Sequence, residues 1–138
     1  MGNNEAVLRS YLQAIDDHDL GRIREVLDAD IDVVAPGVEF HGIDQVAGWL
    51  QVFLTAFPDL RHDVRSVLEV DGRCAAEVRF SGTHTGPLAS PQGEIPATGK
   101  PFAFDYVQVS SLEQGRIRND HIYFDQLGFL GQLGLLPG

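Results

Sequence analysis

The C-terminal run Arg116–Gly138, RIRNDHIYFDQLGFLGQLGLLPG, decides how the chain is read. Its first part, Ile117 to Phe124, alternates in the manner of a half-buried strand. In its second part Leu127, Phe129, Leu130, Leu133, Leu135 and Leu136 crowd together at near-helical spacing. Asp125 sits at the hinge between the two. Counting strictly by twos, Asp125 shares a strand face with Tyr123 and His121, while Ile122 and Phe124 point to the other face. A carboxylate so placed has two readings. Its oxygen can accept from the unpaired amides of a first helical turn as an N-cap, or it can serve as a working acid or base.

Upstream, Val7, Leu8, Tyr11, Leu12 and Ile15 recur at three- and four-residue spacing and predict a first helix over Asn4–His18. Tyr11 is either core filler or a phenol projecting into a pocket. Asp19 is placed to cap a second, short helix whose buried side is Leu20, Ile23, Val26 and Leu27. Ile31–Ala35 reads as a strand stopped by Pro36-Gly37, and Val38–His41 as another that meets Gly42. His41 lies in that bend. From Asp44 the apolar positions Val46, Leu50, Phe53, Leu54 and Phe57 predict a third helix ending at Pro58. Trp49 and Phe53 are candidates for both core and pocket wall.

His62–Val70 and Cys74–Thr85 flank Asp71-Gly72, a strong hairpin signal. On the second of these strands Val78, Phe80, Gly82 and His84 share one face by parity. Pro87–Pro101 is rich in proline and glycine and reads as a loop with the character of a lid. Phe102–Leu112 resumes strand character, with Phe102, Phe104, Tyr106 and Gln108 on one face. Gln108 stands out, because an amide among aromatics is costly to bury without a polar partner.

The whole chain bounds the possibilities. Its 138 residues suit one domain, 1–138, with one substantial core. A formal charge of −10, from ten basic against twenty acidic residues, disfavours nucleic acid, an anionic membrane surface or a highly anionic substrate as partner. Cys74 is the sole cysteine, so there is neither a disulfide framework nor a cysteine metal set. The start MGNNEAVL has no basic or apolar leader, and no apolar run reaches the roughly 20 residues that span a bilayer. The expectation is a cytoplasmic protein.

Four segments carry a family resemblance: Phe80–Gly86 (FSGTHTG), Pro96–Lys100 (PATGK), Glu113–Ile117 (EQGRI) and Tyr123–Gly134 (YFDQLGFLGQLG). In that order, together with the EFHG segment Glu39–Gly42, the chain resembles the SnoaL-like polyketide cyclases of the NTF2-like superfamily. The resemblance implies an α+β cone: a strongly bent, mixed or antiparallel sheet wrapped by about three N-terminal helices plus a short C-terminal one. It also implies intramolecular aldol condensation by general acid–base chemistry in an apolar pocket, with no cofactor and no metal. On this reading Asp125 aligns with the family's acid/base and His84 assists it. Gln108, His41 and His121 are then candidates to hold substrate oxygens, and Tyr123, Tyr106, Phe104, Phe80, Trp49, Phe53 and Tyr11 line the site. The implied partner is a hydrophobic, polyketide-like small molecule. A homodimer is expected through the outer sheet face, with Val107, Val109, Ile122 and Phe124 as contacts. Two other readings stay open: a binding domain without catalysis, and an epoxide hydrolase or isomerase using an Asp-Arg-Asp set, for which Arg79 and Asp105 lie on the face opposite the pocket residues.

Overall fold

The computed structural model describes residues 3–136. Two helices open the fold, α1 (Asn3–Asp16) and α2 (Leu20–Val26). Asp19 caps α2 by accepting from the Arg22 amide. Strands β1 (Leu27–Ala35) and β2 (Val38–His41) form a hairpin, and α3 (Ile43–Ala56) follows Gly42. β3 (Arg61–Val70), β4 (Arg73–Thr83), β7 (Pro101–Glu113) and β8 (Arg116–Tyr123) complete one six-stranded sheet in the order β2-β1-β8-β7-β4-β3. Only the β1–β8 pair is parallel. The stretch expected to be irregular between β4 and β7 instead contains a small hairpin of its own, β5 (Leu88–Ser90) with β6 (Gly93–Ile95). A short helix, α4 (Gln126–Gln132), closes the described chain.

The apolar periodicities explain the layering. α1 buries Leu8, Tyr11, Leu12, Ala14 and Ile15, and α3 buries Val46, Ala47, Leu50, Leu54 and Ala56. α1 packs against β3, β4 and β8, and α3 against β1, β2 and β5, so both helices cover one side of the curled sheet. Phe57, fully buried at the end of α3, joins Phe53, Phe102 and Phe129 at ring separations of 5.8, 4.9 and 5.9 Å. Burying one such ring stabilises the fold by roughly 1.5–3 kcal/mol.

One irregularity positions the site. Along the β7–β8 ladder Ser111 pairs with Asn119, but Leu112 pairs with Ile117. Arg118 is therefore an extra residue in β8, a bulge that turns the rest of the strand over. Ile117 faces the core on one side of the bulge, and Asp120, Ile122 and Phe124 face inward on the other. Strict alternation, which put His121, Tyr123 and Asp125 inward and Ile122 and Phe124 outward, fails here for that reason. The expected dimer contacts Ile122 and Phe124 are interior residues, whereas Val107 is 39% exposed on the outer face.

Candidate active site

Between the sheet and helices α1 and α3 lies a narrow cavity with an open mouth. Its walls are apolar and aromatic: Leu12 and Ile15 from α1, Trp49 and Phe53 from α3, and Phe80, Phe104, Ile122 and Phe124 from the sheet side. Trp49 stacks on Phe40 at 5.2 Å and touches Phe53 at 5.5 Å, while Phe104 stacks on Phe124 at 5.3 Å. Five polar side chains interrupt this lining: Tyr11, His62, Tyr106, Gln108 and Asp120.

Asp120 is the central group. Only 1% of it is exposed. Its Oδ1 accepts from Gln108 Nε2 at 2.8 Å and from Ser110 Oγ at 2.9 Å, and its Oδ2 accepts from the same Gln108 nitrogen at 2.9 Å. The Tyr106 hydroxyl donates to Gln108 Oε1 at 2.9 Å, which fixes the amide with its nitrogen toward the carboxylate. Ladder geometry builds the cluster. Tyr106, Gln108 and Ser110 alternate along the inner face of β7, and Ser110 is the direct partner of Asp120 across the ladder.

The electrostatics follow from burial. Loss of solvent pushes the Asp120 carboxyl up to about 6, against the pull of hydrogen bonds from Ser110 and Gln108 and the nearby His121. The phenols of Tyr11 and Tyr106 are raised well above their ordinary value, first by burial and then by the Asp120 charge, so both stay protonated donors. A carboxylate that titrates near neutrality, with both oxygens oriented, is suited to taking a proton from carbon.

A second polar feature lies on another strand. His62 of β3 is held at two points by Asp16, the last residue of α1: Nδ1 meets Asp16 Oδ1 at 2.6 Å, and the His62 amide donates to Oδ2 at 2.9 Å. The ring packs on Phe80 at 4.8 Å and edge-on to Tyr106 at 6.2 Å.

The residues expected to line the site divide sharply. Tyr11, Trp49, Phe53, Phe80, Phe104, Tyr106 and Gln108 all do so. Asp125 does not: it is exposed, and its Oδ1 accepts from the Gly128 amide at 3.0 Å as the N-cap of α4. The Arg118 bulge puts it on the outer side. The same bulge turns Tyr123, 57% exposed, and His121 onto the convex face, where the two side chains meet at 3.5 Å. His84 is buried outside the cavity, packed on Phe57 at 5.4 Å. Its backbone continues the β4–β7 pairing, donating to the Lys100 carbonyl oxygen at 3.0 Å and accepting from the Gly99 amide at 2.8 Å, so it keeps the buried face of Val78 and Phe80 but lies outside the cavity. Its Nδ1 accepts from the Thr98 amide at 3.2 Å, tying down the chain between β4 and β7. Burial holds the His84 imidazole below its ordinary value. His41 is exposed on the edge strand β2, with Nδ1 2.6 Å from Asp32 Oδ1, away from the cavity. Arg79 and Asp105 pair with each other at 3.1 Å on the outer face, as parity anticipates.

Sequence reasoning missed Asp120, Ser110, His62 and Asp16. A signal for Asp120 was present: Ile117 and Ile122 sit at odd and even positions, so both can face the core only if an extra residue lies between them. Among the described residues no three His, Cys, Asp or Glu side chains converge to hold a metal ion.

A sheet curled around an aromatic pocket and backed by helices defines the class: an α+β cone of the NTF2-like, ketosteroid isomerase-like fold. Within that class, the sequence pattern of the SnoaL-like polyketide cyclases matches residues 5–133, and the chain belongs to that family. No curated protein matches the chain in sequence. Among solved structures, a provisionally assigned SnoaL-like polyketide cyclase from Jannaschia sp. CCS1 is 18% identical, with 98% of this chain and 94% of that one covered and a TM-score of 0.85. IdmH of Streptomyces antibioticus, provisionally a polyketide cyclase, is 23% identical, with 95% and 98% covered and a TM-score of 0.79. A protein of ketosteroid isomerase-like fold from Catenulispora acidiphila, in complex with trimethylamine, is 17% identical, with 94% and 93% covered and a TM-score of 0.78. At these identities the likeness is one of fold. No helix among the described residues is long and apolar enough to cross a membrane.

Proposed function

We propose that the protein closes a ring in a small polyketide-like substrate by intramolecular aldol addition, with Asp120 as the base. The observation that carries this reading is a single carboxylate, buried in an aromatic-walled cavity and held there by Gln108 and Ser110, where burial raises it to about 6. In the ionised form it removes a proton from a carbon flanked by carbonyls. The C–H electron pair passes into the enolate, the enolate carbon attacks a second carbonyl, and the resulting alkoxide is protonated. Gln108 and Ser110 hold the carboxylate in register, and the apolar walls exclude the water that would weaken it as a base. A general base of this kind contributes about 10²–10⁴-fold to rate.

Turnover of a linear β-polyketo methyl ester, followed by loss of the diketone chromophore, tests the assignment. Asp120→Asn is expected to lose about 10²-fold or more in kcat, while Asp125→Asn, altered at a surface cap, keeps its activity. Full turnover by Asp120→Asn sinks the mechanism. If the wild-type protein binds the ester without converting it, the domain is a binding module.

We also propose a homodimer through the convex sheet face, where Leu68 (71% exposed), Val107 and Tyr123 leave apolar surface uncovered. Light scattering at micromolar concentration is expected to give twice the chain mass, and a monomer there rules this assembly out.

A further inference from the structure

The aldol reading leaves one step without an agent, since the alkoxide formed at ring closure needs a proton donor and Asp120 is engaged at the nucleophilic carbon. We propose that His62, anchored by Asp16, is a second catalytic residue of the same cavity, which binds the oxygen of the attacked carbonyl and protonates it.

The geometry points to this role in three ways. Asp16 grips the residue at both ring and backbone, so the imidazole is fixed in plane and position rather than free to swing. With Nδ1 turned to the carboxylate, Nε2 is the nitrogen left over, and it has no hydrogen-bond partner among the described residues. It is also not a sealed orphan, because among the described residues the one buried side-chain atom lacking a partner is His84 Nε2. The free nitrogen of His62 therefore opens onto accessible space, and the residue lines the cavity. Finally, His62 and Asp120 are joined only indirectly, through the edge contact of His62 with Tyr106 and the Tyr106–Gln108–Asp120 hydrogen bonds. They share no direct bond, and in the proposed reaction each acts on a different part of one substrate.

The proposal rests on the aldol reading of the cavity, and its proton balance closes. Asp120 takes the proton from carbon, and the new C–C bond sends the carbonyl π pair onto oxygen. In its doubly protonated form, donating from both nitrogens, His62 gives the Nε2 proton to that oxygen and is left neutral with Nδ1–H still held by Asp16. The proton on Asp120 then returns to Nε2 through solvent. Asp16 is a positioning residue.

Nitrogen-15 spectra of the five histidines, recorded with and without 2-naphthol as a planar stand-in for the hydroxyl-bearing ring product, test the idea before any substrate is identified. Binding is expected to shift the His62 Nε2 resonance, identified by its loss in His62→Gln. Asp16→Asn is expected to shift the Nδ1 resonance in the free protein while the fold, followed by the Trp49 emission, persists. On the β-polyketo ester His62→Gln is expected to lower kcat by about 10²-fold with KM within about threefold. Bound naphthol that leaves Nε2 unmoved, or His62→Gln turnover equal to wild type, overturns the role of His62 while the Asp120 assignment stands. Absence of naphthol binding leaves the decision on His62 to the ester turnover of His62→Gln, and unimpaired Asp120→Asn turnover overturns the aldol reading by itself.

Discussion

Replacing Asp120 by Asn should make the protein more stable while it loses its chemistry, and the gain should depend on pH in a defined way. The carboxyl rises from 3.8 in the unfolded chain to about 6 in the fold. At ~1.4 kcal/mol per tenfold change in acidity, the ionised form carries a penalty of ~3 kcal/mol. The native state binds this proton more tightly than the unfolded chain, so the contribution of Asp120 to stability falls as pH rises from 3.8 to about 6 and is fully unfavourable above that. Asn mimics the protonated acid: its oxygen accepts from Gln108 and its nitrogen donates to Ser110. The gain should approach ~3 kcal/mol at pH 7.5 and shrink to under ~1 kcal/mol at pH 4. With an unfolding entropy of ~2.1 cal/mol/K per residue over 138 residues, these are increases in Tm of roughly 10 °C and no more than about 3 °C. Calorimetry or dye-based melting of both proteins across pH 4–8 reads the difference directly. A difference that is flat with pH, or a less stable variant at pH 7.5, would refute the claim that burial strains this carboxylate.

Other outcomes follow from the same geometry. Asp125→Ala removes the cap of α4 and should cost about 0.5–2 kcal/mol in urea unfolding without lowering turnover. Tyr106→Phe frees the Gln108 amide from its only fixed acceptor contact, so kcat should fall several-fold and stability by about 1 kcal/mol. Gly86→Ala should cost more than about 2 kcal/mol, since a Cβ there would lie 2.0 Å from the Thr55 carbonyl oxygen. Unchanged melting in that variant contradicts the close approach of this segment to the end of α3.

Much of this architecture was legible in the sequence, because it is written in periodicity. The stripe from Val7 to Ile15, the Asp71-Gly72 turn and the alternation of Phe102 to Gln108 each name an element and its buried face, and Gln108 was recognisable as an amide needing a partner. The partner itself was hidden by the Arg118 bulge. A single unpaired residue moves every later side chain of β8 to the other face, so counting by twos delivered Asp125 where the fold delivers Asp120. The Asp16–His62 contact was out of reach for a different reason. It joins the end of a helix to the start of a strand across forty-six positions, and nothing local in either segment announces the other. His84 shows a different limit: it keeps the buried face that parity gives it, yet sharing a face with cavity residues does not by itself put a side chain in the cavity.

The packing of Trp49 between Phe40 and Phe53 has a practical consequence, because it is the only indole in the chain. Its emission comes from a single site, in the wall of the cavity, with no second tryptophan to dilute the signal. A planar guest sliding against that wall changes both the polarity around the indole and the ring stack beside it, so occupancy can be read as a colour shift or as quenching on unlabelled protein. The chain thus carries its own reporter, and a library of unidentified aromatic compounds can be sorted by light before any reaction has been seen.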